Sequence, residues 1–153
     1  MAKAKFTQQQ VRNYLQGKLQ LIDRAIIRRL QVLGEKCVRH ARLNGNYTDQ
    51  TGNLRNSIGY VIVKHGEIID RNFEAKVPGG TEGVKEGESL AETLAARYKD
   101  DGYVLIVVAG MHYAGIVETK YNRDVLTGAE IMAKTEFPRM MDELKKNVAN
   151  MKP

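Results

Sequence analysis

Residues 6–45, FTQQQVRNYLQGKLQLIDRAIIRRLQVLGEKCVRHARLNG, decide the fold. Val11, Leu15, Leu19, Ile22, Ile26, Leu30, Leu33, Cys37 and Ala41 recur every three or four positions, the spacing that lines up one face of an α-helix. The start is marked by a capping box, Thr7-Gln8-Gln9-Gln10, in which the Thr7 hydroxyl and the Gln10 amide satisfy free backbone N–H groups. Phe6 and Val11 stand where a hydrophobic staple belongs, and Asn44-Gly45 marks the end. The spacing therefore predicts one long helix over about 7–43, with the apolar stripe in the core. At 1.5 Å per residue, about 36 residues extend roughly 54 Å, more than a domain of this size needs. Part of the helix is expected to project or to lie under another subunit.

The same segment holds the charge. The chain of 153 residues has 24 Lys plus Arg against 18 Asp plus Glu, a net +6. Residues 1–43 carry ten basic and two acidic side chains, a net +8, which leaves −2 for the remainder. Opposite the apolar stripe fall Arg24, Arg28, Arg39 and Arg42, with Tyr14, Leu21 and Val32 among or beside them. A solvated face is the plain explanation of such arginines. Arginine interleaved with Tyr and Leu also suits a subunit interface, and the same charges could meet the phosphates of DNA. These seven residues are the candidate interface or DNA-facing positions, with interface ranked first.

Length and composition bound the rest. One domain spanning 1–153 is expected, and with 42% hydrophobic residues it can fold without disulfide or metal staples. A single cysteine, Cys37, forms no internal disulfide and fits a reducing compartment. No apolar run approaches the length that spans a bilayer, so a soluble cytoplasmic chain without membrane contact is expected.

Downstream, about 54–77 reads as a β-hairpin turning at His65-Gly66. Its expected register sets Lys64 against Glu67, Ile62 against Ile69, Tyr60 against Arg71 and Ile58 against Phe73. That face is mostly apolar. The other, with Val61, Gly59 and Ser57, is expected to meet solvent or a partial cover. An insertion follows at about 78–102: a glycine-rich surface loop, PGGTEGVKEGE, then a short helix opened by a capping box of Ser89 and Glu92. YVLIVVA, 103–109, reads as a central strand covered on both faces. Thr127 and Glu130, flanked by Leu126 and Ile131, make a third capping box before a C-terminal helix over about 128–150, which Pro138 should kink or divide. The expected fold is α+β: a small, mainly antiparallel sheet packed by a long N-terminal helix and a C-terminal helix.

No catalytic, cofactor-binding or metal-ligating set stands out, and an enzyme is not expected. Cys37 and His40 lie one helical turn apart, but two ligands do not make a zinc site and Cys37 belongs to the core stripe. His65 stands beside Glu67 without the cysteine pair of a zinc deaminase. His112 precedes Tyr113 near a strand end and reads as an ordinary packed or exposed histidine. Gly83-Val84-Lys85-Glu86 lacks the Lys-Ser/Thr of a phosphate loop, and Glu82, Glu86 and Glu88 repel phosphate.

Two short segments add a family resemblance. Thr51-Gly52-Asn53-Leu54-Arg55-Asn56-Ser57-Ile58 opens the hairpin, and Tyr113-Ala114-Gly115-Ile116-Val117-Glu118 follows the 103–109 strand. With the long basic helix before them and a helix after, this order resembles the tail-component family of lambdoid siphophages and their prophages. There, T-G-x-L-R-x-S-I and Y-A-x-x-V-E segments recur at about this separation. The matching positions are Thr51, Gly52, Leu54, Arg55, Ser57, Ile58, Tyr113, Ala114, Val117 and Glu118. Two departures stand out: Glu118 precedes Thr119-Lys120 in place of Gly-Thr, and Leu126-Thr127-Gly128-Ala129 replaces a Pro-Phe-rich entry to the last helix. The resemblance implies a structural virion protein, assembled in the bacterial host cytoplasm, that completes the tail or joins it to the head. Its implied partners are further copies of itself, with a ring as one arrangement, other phage neck or tail proteins, and DNA passing through the lumen. The alternative from the residues alone is non-sequence-specific nucleic-acid binding by the basic helix. Read without the family, Leu54 and Ile58 point to the core, Arg55 and Ser57 away from it, and Glu118 is placed to pair with a neighbour's arginine.

Overall fold

The computed structural model describes residues 5–44, 52–74, 79–111, 114 and 125–153. Its elements are α1 (Gln8–Asn44), α2 (Asn53–Asn56), β1 (Ile58–Lys64), β2 (Glu67–Asn72), α3 (Thr81–Ala95) with a 3-10 turn (Ala96–Tyr98), β3 (Tyr103–Ala109) and α4 (Thr127–Val148). The fold is α+β, a small antiparallel sheet packed by long N-terminal and C-terminal helices. The strand order is β2-β1-β3, and both pairings are antiparallel. So β1, not β3, is central. The unbroken apolar run of β3 reports cover on both faces rather than a middle position in the sheet.

Each face has its own core. Ile58, Tyr60 and Ile62 of β1 pack with Leu30, Leu33 and Cys37 of α1 and Ala129 of α4, and Tyr103, Leu105 and Val107 of β3 join them. Val61 and Val63 meet Ile106 and Val108 beneath Ala91 and Ala95 of α3. The face expected to meet solvent is thus covered by α3, and six of the seven β1 residues are buried.

Helix α3 overturns the loop reading of 78–88 from Thr81 onward; Pro78 lies outside the described residues. Gly83, Gly87, Ala91 and Ala95 recur every fourth residue and form its buried edge. A Cβ on Gly83 would lie 2.1 Å from the Asn53 carbonyl oxygen, and one on Gly87 2.5 Å from that of Ser57. The glycines let the helix backbone seat directly on α2 and the entry to β1. Ser89 is therefore mid-helix, its carbonyl accepting a hydrogen bond from Thr93 Oγ1 at 3.1 Å, and no capping box forms there. The N-terminus of α3 is capped from outside, Gly83 N–H donating to Asn53 Oδ1 at 3.1 Å.

The hairpin turns at His65-Gly66, as its sequence predicts, with both residues at positive φ. Its register differs. Lys64 faces Glu67 and Val63 faces Ile68, but Ile62 faces Asp70, Val61 faces Arg71 and Tyr60 faces Asn72. Ile69 is the extra residue of a β-bulge, and one inserted residue exchanges the faces of everything beyond it. The bulge puts Asp70 and Asn72 under α1, where Gln31 Nε2 donates to Asp70 Oδ2 at 2.7 Å and the Asn72 amide donates to Glu35. Phe73 goes to the other face, across Gly59 and Gly87. The strand also begins at Ile58, not at residue 54, because Leu54 lies in α2. Residues 75–77, the far end of the expected hairpin, lie outside the described residues.

The first capping box forms as read: Thr7 N–H donates to Gln10 Oε1 at 2.8 Å and Gln10 N–H to Thr7 Oγ1 at 3.1 Å. The third does not. Thr127 is already helical, Leu126 occupies the cap position without a side-chain cap bond, and Ile131 is 63% exposed, leaving the staple open. Helix α4 passes Pro138 undivided and returns antiparallel along α1, with Cys37 beside Ala129 and Gly17 against Pro153.

A candidate assembly surface on the N-terminal helix

The core stripe of α1 starts later than its periodicity implies. Ile26, Leu30, Leu33, Cys37 and Ala41 pack into the core, but Val11, Leu15 and Leu19 are 47%, 53% and 64% exposed. With Phe6 and Tyr14 also exposed, the first turns of α1 present apolar side chains and no cover among the described residues. Phe6, Gln10, Val11, Tyr14 and Leu15 outline a hollow of about 460 Å³. The reason is length: α1 has 37 residues, whereas the strands beneath it have at most seven.

The basic face lies toward the other end. Arg24, Arg28 and Arg39 are exposed, Val32 is exposed and Leu21 half-buried. Arg28, Gln31, Val32, Glu35, Lys36 and Arg39 line a depression of about 480 Å³. Arg24, Arg28 and Arg39 make no hydrogen bond or ion pair among the described residues.

Arg42 differs from the other candidates. Its Nη2 donates to the Ile58 carbonyl at 2.7 Å and the Glu74 carbonyl at 2.9 Å, and its Nε to the Arg55 carbonyl at 3.2 Å. This guanidinium is half-buried and acts as a clasp between α1, α2 and the hairpin.

No family model, curated protein or solved structure matches this chain. The roles of the motif positions therefore come from their own geometry. Gly52 has φ 80°, the left-handed turn that leads into α2. Leu54 and Ile58 are buried as expected. Ser57 is not turned outward: it is fully buried, its Oγ donates to the Leu54 carbonyl at 2.7 Å, and its own carbonyl accepts from Gly110 N–H at 3.1 Å. The cause is α2, whose helical turn changes the alternation that an extended chain would have. Arg55 is half-buried, and Ala114 is buried in the larger core. Thr51, Tyr113, Val117, Glu118 and His112 lie outside the described residues. Gly52–Ser57 is thus a junction holding α1, α3 and β3 to the central strand.

Polar groups under α1 tie it to the sheet. Tyr60 Oη donates to Glu35 Oε1 at 3.1 Å, and Lys64 Nζ sits 3.0 Å from Asp23 Oδ1 and 5.3 Å from the centre of the Tyr103 ring. Burial, then the Glu35 charge, push the Tyr60 phenol well above its usual value. Burial likewise pushes the Cys37 thiol up, away from reactivity. Glu136 accepts from Arg139 at 2.6 Å and Lys36 at 3.3 Å, and these bonds hold its carboxyl below the usual range. Among the described residues no group of three or more His, Cys, Asp or Glu could hold a metal ion, and no helix is long and apolar enough to cross a membrane.

Sequence reasoning missed the outer face of α3, with Glu82, Glu86 and Leu90, because four glycines made 78–88 look like a loop. The four-residue recurrence of Gly83, Gly87, Ala91 and Ala95 was the available signal.

Proposed function

We propose that this chain is a structural protein of a phage or prophage particle, acting without catalysis in tail completion or head-to-tail joining. It assembles with copies of itself and with neck or tail proteins, in the host cytoplasm and then the virion. One observation carries the assembly part: Phe6, Val11, Tyr14, Leu15 and Leu19 are 47% to 70% exposed at one end of α1. Apolar patches of that kind mark contact surfaces in soluble proteins. The phage assignment is supported by the two short motifs and by the order of elements around them.

Size-exclusion chromatography with light scattering and negative-stain microscopy of the full chain, alone and mixed with tail or head particles, tests the reading. A discrete oligomer or decoration of particle ends is expected, reduced by Leu15→Asp with Leu19→Asp without loss of melting temperature. A chain that stays monomeric at all concentrations and ignores both particles overturns it. Portal, capsid and tail-tube genes beside its own gene would add support.

The exposed, unpaired Arg24, Arg28 and Arg39 favour one second reading, binding of nucleic acid without sequence preference. Duplex affinity that falls steeply with salt and is lost in the triple alanine variant would support it.

A further inference from the structure

Resting on that assembly reading, we infer that copies of this chain join head to tail through two matched helical ladders, Arg24, Arg28 and Val32 on α1 and Glu82, Glu86 and Leu90 on α3. On each helix the three side chains are four residues apart, so successive rungs rise about 6 Å along one face. All six are exposed, Val32 by 44% and Leu90 by 36%. None of the four charged members has an ion-pair or hydrogen-bond partner among the described residues. Each helix therefore carries a like-charge pair at i, i+4 with no side-chain ion pair to offset it, an arrangement that disfavours an isolated helix, although Glu82 gains from its place in the first turn of α3. Each ladder supplies what the other lacks.

Helices α1 and α3 cover opposite faces of the sheet, so the ladders of one subunit cannot meet each other. They meet in a second copy. Laid parallel, Arg24 stands opposite Glu82, Arg28 opposite Glu86 and Val32 opposite Leu90. Antiparallel packing sets Arg24 against Leu90 and Val32 against Glu82, and symmetric pairing of either ladder with itself opposes like charges. A contact between two different patches of one chain is heterologous: it repeats from subunit to subunit and yields a ring if the rotation closes.

The test mixes two single variants of the full chain, Val32→Cys and Leu90→Cys, under mild oxidation, with the unmodified chain and its buried Cys37 as control. The mixture is expected to give a covalent dimer that neither variant gives alone. Separately, R24E with R28E, and E82R with E86R, should each weaken self-association by roughly tenfold or more, and the combined fourfold swap should restore it. Melting curves confirm that the variants fold. Oligomers that form without the crosslink and without restoration by the swap overturn this contact and leave the assembly reading standing. A full chain that remains monomeric and gives no crosslink overturns this contact, and it overturns the assembly reading as well when it also ignores head and tail particles.

Discussion

Arg42 and Arg55 are bonded reciprocally, the Nε of each donating to the backbone carbonyl of the other at 3.2 and 3.1 Å. The last turn of α1 and the single turn of α2 are thereby joined across thirteen residues of chain. Arg42→Ala would leave several carbonyls without their charged donor and should lower unfolding free energy by about 2–3 kcal/mol. Arg39→Ala, on the exposed face, should stay within about 0.5 kcal/mol. Urea unfolding of both variants checks the contrast, and equal effects would contradict the inward role of Arg42.

Asn53 should behave as a cap although it lies 30 residues before Gly83, whose N–H it accepts from. Asn53→Ala is expected to lower stability by about 1 kcal/mol, while Asn53→Asp keeps an acceptor at the positive end of α3 and loses little. Thermal melts of the pair decide it. If alanine is harmless, the cap is not a stabilising bond.

Gly83→Ala sets two effects in opposition. Alanine favours a helix interior by about 1 kcal/mol over glycine, which would stabilise α3 were the position open. A Cβ there lies 2.1 Å from a backbone oxygen of Asn53, so α3 must move off α2. Net destabilisation of about 1–3 kcal/mol is expected, the usual range for overpacking. A rise in melting temperature would show that the two backbones do not approach this closely.

Alkaline pH should destabilise the fold through Tyr60. The phenol's folded value is raised above its ordinary 10.0, so its contribution is complete below that pH. Above it the unfolded chain loses the proton first, binds fewer protons than the folded one, and stability falls as pH rises toward the folded value. The slope attributable to Tyr60 is at most about 1.4 kcal/mol per pH unit. Denaturant unfolding between pH 9 and 11 should show a shallower decline in Tyr60→Phe than in the parent; matching slopes would remove Tyr60 as the cause.

Periodicity revealed α1, and turn chemistry placed His65-Gly66, because both are local properties of the chain. The first capping box was legible for the same reason, its two bonds closing within four residues. The third failed because Thr127 already belongs to the helix whose cap it resembles. What periodicity could not say is where cover ends: Leu15 and Leu30 look alike in the stripe, yet only Leu30 has sheet and α4 against it. The bulge at Ile69 was equally hidden, because it answers Gln31 and Glu35 on a helix more than thirty residues earlier. Of the candidate surface, Arg24, Arg28, Arg39 and Val32 were readable as an outward face, whereas the inward turn of Arg42 depends on carbonyls brought in by the hairpin.

The burial of β1 on both faces bears on how this chain can diverge. Ile58, Tyr60 and Ile62 answer to one core, Val61 and Val63 to another, and Gly59 to the Phe73 ring, so neighbouring positions tolerate different substitutions and few of them. Mutational freedom is left to the outward sides of α1 and α3. A lineage built this way can exchange its contacts with other molecules while keeping its scaffold, and descendants would come to share an interior pattern long after their surfaces had ceased to align.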